Sequence, residues 1–463
     1  MASDSKDVIS RVEREQAGYL EELKDFIRIP SISTDPAYKA AVRRCAEWLL
    51  AKMQGAGVTA ELIETKGHPL IYGEWLGAPG EPTILFYGHY DVQPVDPVEL
   101  WRHPPFEPTV EGDQLVARGA TDDKGQSYCA LKAVGAMLAE RGALPVNVKF
   151  IIEGEEESGG DSIEHFVVAD AGKRLSCDAV VVSDSSMYAP GQPSLLYGLK
   201  GLAYMQIDVT GPNRDLHSGT FGGAVANPAN ALAQIIARLR DPKTGKVLID
   251  GFYDDVRPLE DWERQAFAAL PFDAEAYRAE LGVPEIFGEE GYTTLERSWA
   301  RPTCDVNGIW GGYQGEGAKT VLPGKAGAKV SMRLVPDQDP KKVGALFRAY
   351  VEKVKPEGVT VAVRHLHGAA AVLVDVSGPL AEAAMAAQED IWGKPPVTVR
   401  EGGSIPIVGT FTQVLGKPVL LMGFGLHDDN LHSPNEKFNI SHFYAGIKTV
   451  VRLLDRAGEV PAG

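Results

Sequence analysis

The chain has 463 residues, 44% hydrophobic and 24% charged, an ordinary globular composition long enough for about two to four domains. Lys and Arg number 46 against 63 Asp and Glu, a formal charge of −17, which disfavours nucleic acid and anionic membrane as principal partners because both repel an acidic surface. No apolar run reaches the roughly eighteen residues of a membrane span, and the polar start MASDSKDVISRVEREQ lacks the apolar core of a secretory leader, so a cytoplasmic protein is expected.

Residues 8–29 carry a helical apolar period (Ile9, Val12, Tyr19, Leu20, Leu23, Phe26, Ile27) that stops at Pro30. A second helix is predicted over 37–56, with Ala41, Cys45, Trp48, Leu49 and Met53 on one face. PTILFYGHYD follows as a strand with Ile84–Tyr87 apolar, then a helix over 126–141. VNVKFIIEGEEESGG reads as a buried strand running into an acidic cluster, and AVVVSD (179–184) as another apolar strand ending in aspartate. Non-alternating apolar strands interleaved with helices indicate an α/β layer around a central sheet.

The pattern changes near residue 200. Strands are predicted at 202–211, 306–310, 326–334 and 359–366, with helices at 227–240 and 340–355. That β-α-β-β-α-β order is the ferredoxin-like signature. Residues 241–300 interrupt it as a partly helical insertion rich in Asp, Glu and aromatics. From about 375 a helix and the strand Pro418–Met422 resume the earlier style. The predicted organisation is therefore 1–200 and 375–463 as one domain, with 201–374 inserted into it. The four cysteines, Cys45, Cys129, Cys177 and Cys304, form no C-x-x-C pair and read as reduced thiols.

Five segments at or after the strands carry His, Asp or Glu: GHYDVQP (88–94), RGATDDKGQ (118–126), EGEEESGG (153–160), VVSDSS (181–186) and NLHSPNEK (430–437). In open α/β sheets ligands bind beyond the carboxyl ends of the strands, so all five can converge on one edge. Gathered carboxylates repel unless protons or cations neutralise them. Two histidines among several carboxylates make a mixed N/O donor set that suits zinc or manganese. Taken singly each segment has a plainer explanation. Asp122-Asp123 could cap the following helix, Glu155-Glu156-Glu157 could be a solvated charge run, Asp184 a turn residue, and His432 a satisfied core histidine. Jointly these explanations weaken, because the segments follow predicted buried strands and each carries a metal-competent side chain.

In this order the segments resemble those of the zinc aminoacylase and exopeptidase family, which includes acetylornithine deacetylase, succinyl-diaminopimelate desuccinylase, glutamate carboxypeptidase and carnosinase. DLHSGTFGG (215–223), EGGSIP (401–406) and HSPNEK (432–437) are most similar to the cytosolic carnosinase and nonspecific dipeptidase branch. The resemblance implies a central mixed sheet flanked by helices, with residues 201–374 as a ferredoxin-like lid that also forms a homodimer. It implies two divalent metal ions, zinc foremost and manganese as the alternative. His89 and Asp184 would bind the first ion, Glu157 and His432 the second, and Asp122 would bridge them. Glu156 would be the general base for a hydroxide held between the ions, and Asp91 would orient His89. The third glutamate, Glu155, leaves the register of base and ligand open; the family's Glu-Glu-Ser-Gly pattern assigns them to the two glutamates before Ser158-Gly159. The resemblance also implies a cis peptide between Asp122 and Asp123.

His217 would reach the partner subunit's site and polarise the scissile carbonyl; its plainer role is a loop cap. Arg333 would hold a substrate carboxylate bidentately, against a plainer role as a surface strand arginine. Gly403 and Ser404 would lie near the substrate, and Glu401 could meet a free substrate amine. The activity implied is hydrolysis of dipeptides or short peptides. The alternative is deacylation of N-acyl amino acids by the same chemistry, and a third possibility is a metal-binding relative without activity. The chain lacks G-x-S-x-G, H-E-x-x-H and G-x-x-x-x-G-K-[ST], which argues against a serine hydrolase, a helix-borne zinc protease and a P-loop kinase.

Overall fold

A computed structural model describes residues 5–170 and 173–460. Contacts divide the chain into two units, one of Met1–Tyr197, Val374–Val399 and Thr410–Gly463, the other of Gly198–Leu373 and Arg400–Gly409. Residues 400–409 depart from the sequence expectation, which assigns them to the last part of the first domain. Their side chains explain the difference: Arg400 makes a buried pair with Glu263, and Ser404 accepts from Arg333 at 2.8 Å, so the segment is tied to the second unit by polar contacts.

The first unit is built on a mixed sheet. Its strands run in the order Thr59–Ile63, Leu70–Trp75, Asn147–Glu153, Thr83–His89, Ala179–Val182, Val419–Leu421 and Ser194–Leu199. Thr83–His89 is parallel to both Asn147–Glu153 and Ala179–Val182, and Val419–Leu421 is parallel to Ala179–Val182. These central strands are buried along nearly their whole length, and mostly apolar, because the sheet is covered on both faces. Helices Lys6–Ile27, Lys39–Gly55, Lys124–Arg141, Pro379–Trp392 and Ile440–Ala457 supply apolar side chains to one continuous core. The first helices agree with their predicted spans to within two residues, a normal margin for helix ends. The strands Thr59–Ile63, Leu70–Trp75 and Ser194–Leu199 and the last helix, Ile440–Ala457, were not predicted.

In the second unit an antiparallel sheet has the order Asp305–Gly311, Lys325–Leu334, Gly201–Thr210, Thr360–Ala369. With helices Pro228–Ala237 and Pro340–Val354 this is the predicted ferredoxin-like arrangement. Alternation sends Ala203, Met205, Ile207 and Val209 inward with Ala328, Val330 and Met332, while Arg333 falls on the opposite face from Met332. The predicted helix at 227–240 closes at Ala237, and Arg240 turns into a bridge with Val247. The insertion forms helices Asp261–Ala269, Ala274–Leu281 and Thr294–Ala300. All four cysteines are buried and free. Among the described residues no helix is long and apolar enough to cross a membrane.

Candidate metal centre

Sheet register brings the acidic segments together. His89, the last residue of its strand, stands opposite Glu153, the last residue of the parallel neighbour. On the other side Tyr87 stands opposite Val182, and continuing that register brings Asp184 beside His89. Gly88 allows the strand end to lie against the next helix, since a Cβ there would come within 2.5 Å of Ser127 Cβ and 2.8 Å of Asp123 Oδ2.

The buried ring of His89 has Asp122 Oδ1 at 3.2 Å and Asp184 Oδ2 at 3.8 Å from its Nε2. His432 enters from an exposed loop at φ +59°, a conformation in which histidine is enriched among non-glycine residues. Its Nε2 lies 2.9 Å from Asp122 Oδ2 and 3.4 Å from Glu157 Oε2. Two groups of metal-competent side chains result, His89–Asp122–Asp184 and Asp122–Glu157–His432. They share Asp122, one oxygen facing each group.

The surrounding contacts hold these side chains in place. Asp91 Oδ1 lies 3.3 Å from His89 Nδ1, and Asp91 Oδ2 accepts from Ser33 Oγ at 2.6 Å and from the Glu157 amide at 3.1 Å. One carboxylate therefore faces the His89 ring and anchors the start of the Glu157 backbone, an arrangement common behind metal-binding histidines. The Asp122–Asp123 peptide is cis, as the resemblance implied. Asp123 occupies the helix N-cap without a side-chain capping bond; its Oδ2 instead accepts from the His89 amide at 3.1 Å.

The electrostatics are those of crowded, desolvated carboxylates. Burial, reinforced by neighbouring carboxylate charges, pushes Glu156 and Glu157 well above the usual range. Glu153 is pushed up to about 8 by burial and then by the Asp91 charge, while Tyr87 donates to it at 2.8 Å. Burial opposes charge on His89, yet the Asp122 and Asp91 carboxylates close beside its ring raise its pKa well above normal. Burial would also raise Asp122, but His432 and His89 together hold it low. His89 Nε2 is buried without a hydrogen-bond partner among the described residues, as a nitrogen reserved for a cation would be. Imidazole nitrogen with carboxylate oxygen is a donor set for zinc or manganese, so these residues fit a pair of divalent ions.

The three consecutive glutamates point to different places. Glu157 faces His432, whereas Glu155 is packed so closely over Gly67 and Gly160 that a Cβ at either glycine would collide with its carboxylate. Glu156 is close enough to His89, Asp184, Asp122 and Asp91 for their charges to act on its buried carboxyl.

The remaining site candidates lie in the second unit. Arg333 Nη1 donates to Ser404 Oγ at 2.8 Å, Ser404 Oγ donates to the Lys200 carbonyl, and among the described residues no carboxylate pairs with Arg333. Glu401 ends the strand Val397–Glu401, and Gly403 is exposed in the loop that follows. His217 is exposed at the start of the short helix Ser218–Phe221, where its Nδ1 accepts from the Gly219 amide at 3.0 Å. In the neutral ring that bond leaves the proton on Nε2, as a donor. Nothing in the sequence pattern singles out Glu436 of NLHSPNEK, yet it is fully buried beneath the Asp122 loop.

The sequence profile described as peptidase family M20/M25/M40 matches residues 85–456. The chain is 34% identical to Cys-Gly metallodipeptidase DUG1 of Candida albicans, over 95% of this chain and 94% of that protein. It is 31% identical to the Beta-Ala-His dipeptidase of Homo sapiens, over 95% of this chain and 90% of that protein. The solved structure of the dipeptidase Dug1p from Saccharomyces cerevisiae superposes with a TM-score of 0.91 at 32% identity, covering 100% of both chains.

Proposed function

This chain belongs to peptidase family M20/M25/M40, and from that premise we propose that it is a metallodipeptidase that uses a pair of divalent ions, zinc foremost. The observation that carries the proposal is the division of Asp122, one oxygen toward His89 and Asp184 and the other toward His432 and Glu157. A carboxylate so divided could serve both groups of ligands at once. His89 and Asp184 would hold one ion, Glu157 and His432 the other, and Asp122 both. When bound, such ions supply Lewis-acid polarisation of a carbonyl and acidify water at neutral pH.

The chain's own residues do the remaining work. Glu156 accepts a proton from the attacking water and delivers it to the amine as the C–N bond breaks. Asp91 keeps the His89 ring in one tautomer through its Nδ1 side. Arg333, with no acid partner among the described residues, takes the substrate's terminal carboxylate, with Ser404 and Gly403 beside it and Glu401 as the contact for a free substrate amine. His217 offers an Nε2–H to the carbonyl oxygen of a substrate bound by the other subunit of a homodimer formed through the lid domain. The four buried free thiols suit a reducing, cytoplasmic setting.

Metal analysis after reconstitution should give about two ions per chain. A metal-loaded crystal structure with ions away from His89, Asp122, Glu157, Asp184 and His432 would end the assignment. The same preparation, screened on dipeptides against N-acetyl and N-succinyl amino acids, should favour dipeptides; preferential release of acetate or succinate would instead make the enzyme a deacylase.

Substrates with a free C-terminal carboxylate should be preferred, because an unpaired guanidinium removed from water is costly and a carboxylate satisfies it. Arg333→Ala should raise KM for dipeptides by roughly 10–100-fold, the scale of a charge-assisted pair of about 1.5–3 kcal/mol. Equal cleavage of dipeptides and their C-terminal amides would remove Arg333 from this role.

A further inference from the structure

Glu436 is completely buried, yet both of its carboxylate oxygens are in use. Oε1 accepts from the amides of Thr121 and Asp122, each at 3.0 Å. Oε2 accepts from the Gly119 amide and from Arg118 Nη1, each at 2.8 Å. Four donors fill the acceptor capacity of one carboxylate. The Glu436 carbonyl accepts from the Ala117 amide at 3.0 Å, and next to it Lys437 pairs with Val116 in a small antiparallel sheet.

Every donor comes from the loop that presents Asp122. Glu436 itself is four residues beyond His432, whose ring reaches Asp122 Oδ2. The segment that carries one candidate ligand thus grips the backbone of another, more than 300 residues away along the chain. Arg118 balances the buried charge; its Nη2 also donates to the Pro94 carbonyl at 3.0 Å and its guanidinium lies over Trp101.

We propose that Glu436 is a positioning residue for the metal pair: it clamps the amides of Gly119, Thr121 and Asp122 so that each Asp122 oxygen faces one ligand group. The proposal rests on the dinuclear reading above. Glu436 does not itself face the ions. A carboxylate is needed because the amides converge on both oxygens. Glutamine would turn an NH₂ toward N–H donors, and the Asp122 backbone would move to escape donors facing donors.

The test compares Glu436→Gln and Glu436→Asp with Arg118→Met, which removes the buried charge partner but leaves the three amides on the carboxylate. Thermal melts of the metal-free proteins establish folding. Calorimetric titration with Mn²⁺ gives stoichiometry and affinity, and electron paramagnetic resonance of the loaded proteins reports whether two Mn²⁺ ions are exchange-coupled. Wild type should bind about two Mn²⁺ ions and show the coupled spectrum. Glu436→Gln should lose the coupled spectrum and weaken the second ion by about 10–100-fold, the usual effect of losing a group that orients a ligand. Its kcat should fall with little change in dipeptide KM. Arg118→Met should melt earlier yet retain the coupled spectrum.

If Glu436→Gln does not fold, Glu436→Asp decides, since it keeps the charge and shortens the reach; it should fold and weaken the second ion. Wild-type affinity and coupling in either folded Glu436 variant would overturn the proposal. So would equal loss of coupling in Arg118→Met, or failure of both Glu436 variants to fold, since either marks a general packing role. A wild-type protein that binds a single Mn²⁺, or two without coupling, ends the dinuclear reading itself, and is read before any variant.

Discussion

Glu156→Gln is expected to lower dipeptide turnover by about 10²–10⁴-fold, the usual contribution of a general base. Glutamine preserves the shape of the side chain and cannot take the proton from water. Burial together with the charges of Asp184 and Asp122 raises the Glu156 carboxyl, and cations bound to those groups would lower it again by supplying opposite charge. Metal content should be unchanged, because the Asp122–Glu157–His432 and His89–Asp122–Asp184 groups do not include Glu156. The measurement is kcat on a dipeptide beside metal analysis of the same preparation. Turnover within a few-fold of wild type would move the base elsewhere. Glu155 is the adjacent substitute, but its carboxylate is packed over Gly67 and Gly160. Loss of metal together with activity would instead make Glu156 a ligand.

His217→Ala is expected to lower kcat by about 10²–10³-fold, the cost of one donor to a developing oxyanion. The exposed His217 ring accepts from Gly219 at Nδ1, which leaves Nε2–H available as that donor. If the histidine serves the other subunit of a homodimer, two inactive proteins should complement each other. His217→Ala and Glu156→Gln proteins would be unfolded together, refolded and assayed. A hybrid dimer then has both lesions at one site and an intact second site. Random assortment with independent sites should restore about a quarter of wild-type activity. Hybrids that form, as shown by affinity tags on each partner, and regain no activity would confine His217 to its own subunit.

The elements that were legible in the sequence are those whose pattern is local. PTILFYGH, VNVKFIIE and AVVV read as buried strands because a strand covered on both faces is apolar at most positions rather than at every second one. The ferredoxin-like unit was legible because its strands and helices differ in period, two against 3.6. Thr59–Ile63 escaped because it is a partly exposed sheet-edge strand with no fully buried residue, which leaves little periodic signal. The helix Ile440–Ala457 did carry a signal, with Phe443, Ile447, Val450, Val451 and Leu454 buried on one side.

The chemistry of the centre was also written in residue type. Histidines and carboxylates following apolar strands announce a cation site, and the family resemblance assigned His89, Asp122, Glu157, Asp184 and His432 before any geometry was known. Where the first of the three glutamates, Glu155, packs, how Asp122 divides its oxygens, and what Glu436 does were decided only by tertiary structure. Periodicity reports which face of an element is buried. It carries no information on where a side chain in a loop finds its partner, which depends on strand register and turn conformation set by distant segments. The contacts of Asp122 with His432 and Glu436 join residues more than 300 positions apart. They exist because parallel strands bring His89 and Asp184 to one sheet edge, and because the pairing of Lys437 with Val116 holds the His432 segment against the loop that carries Asp122.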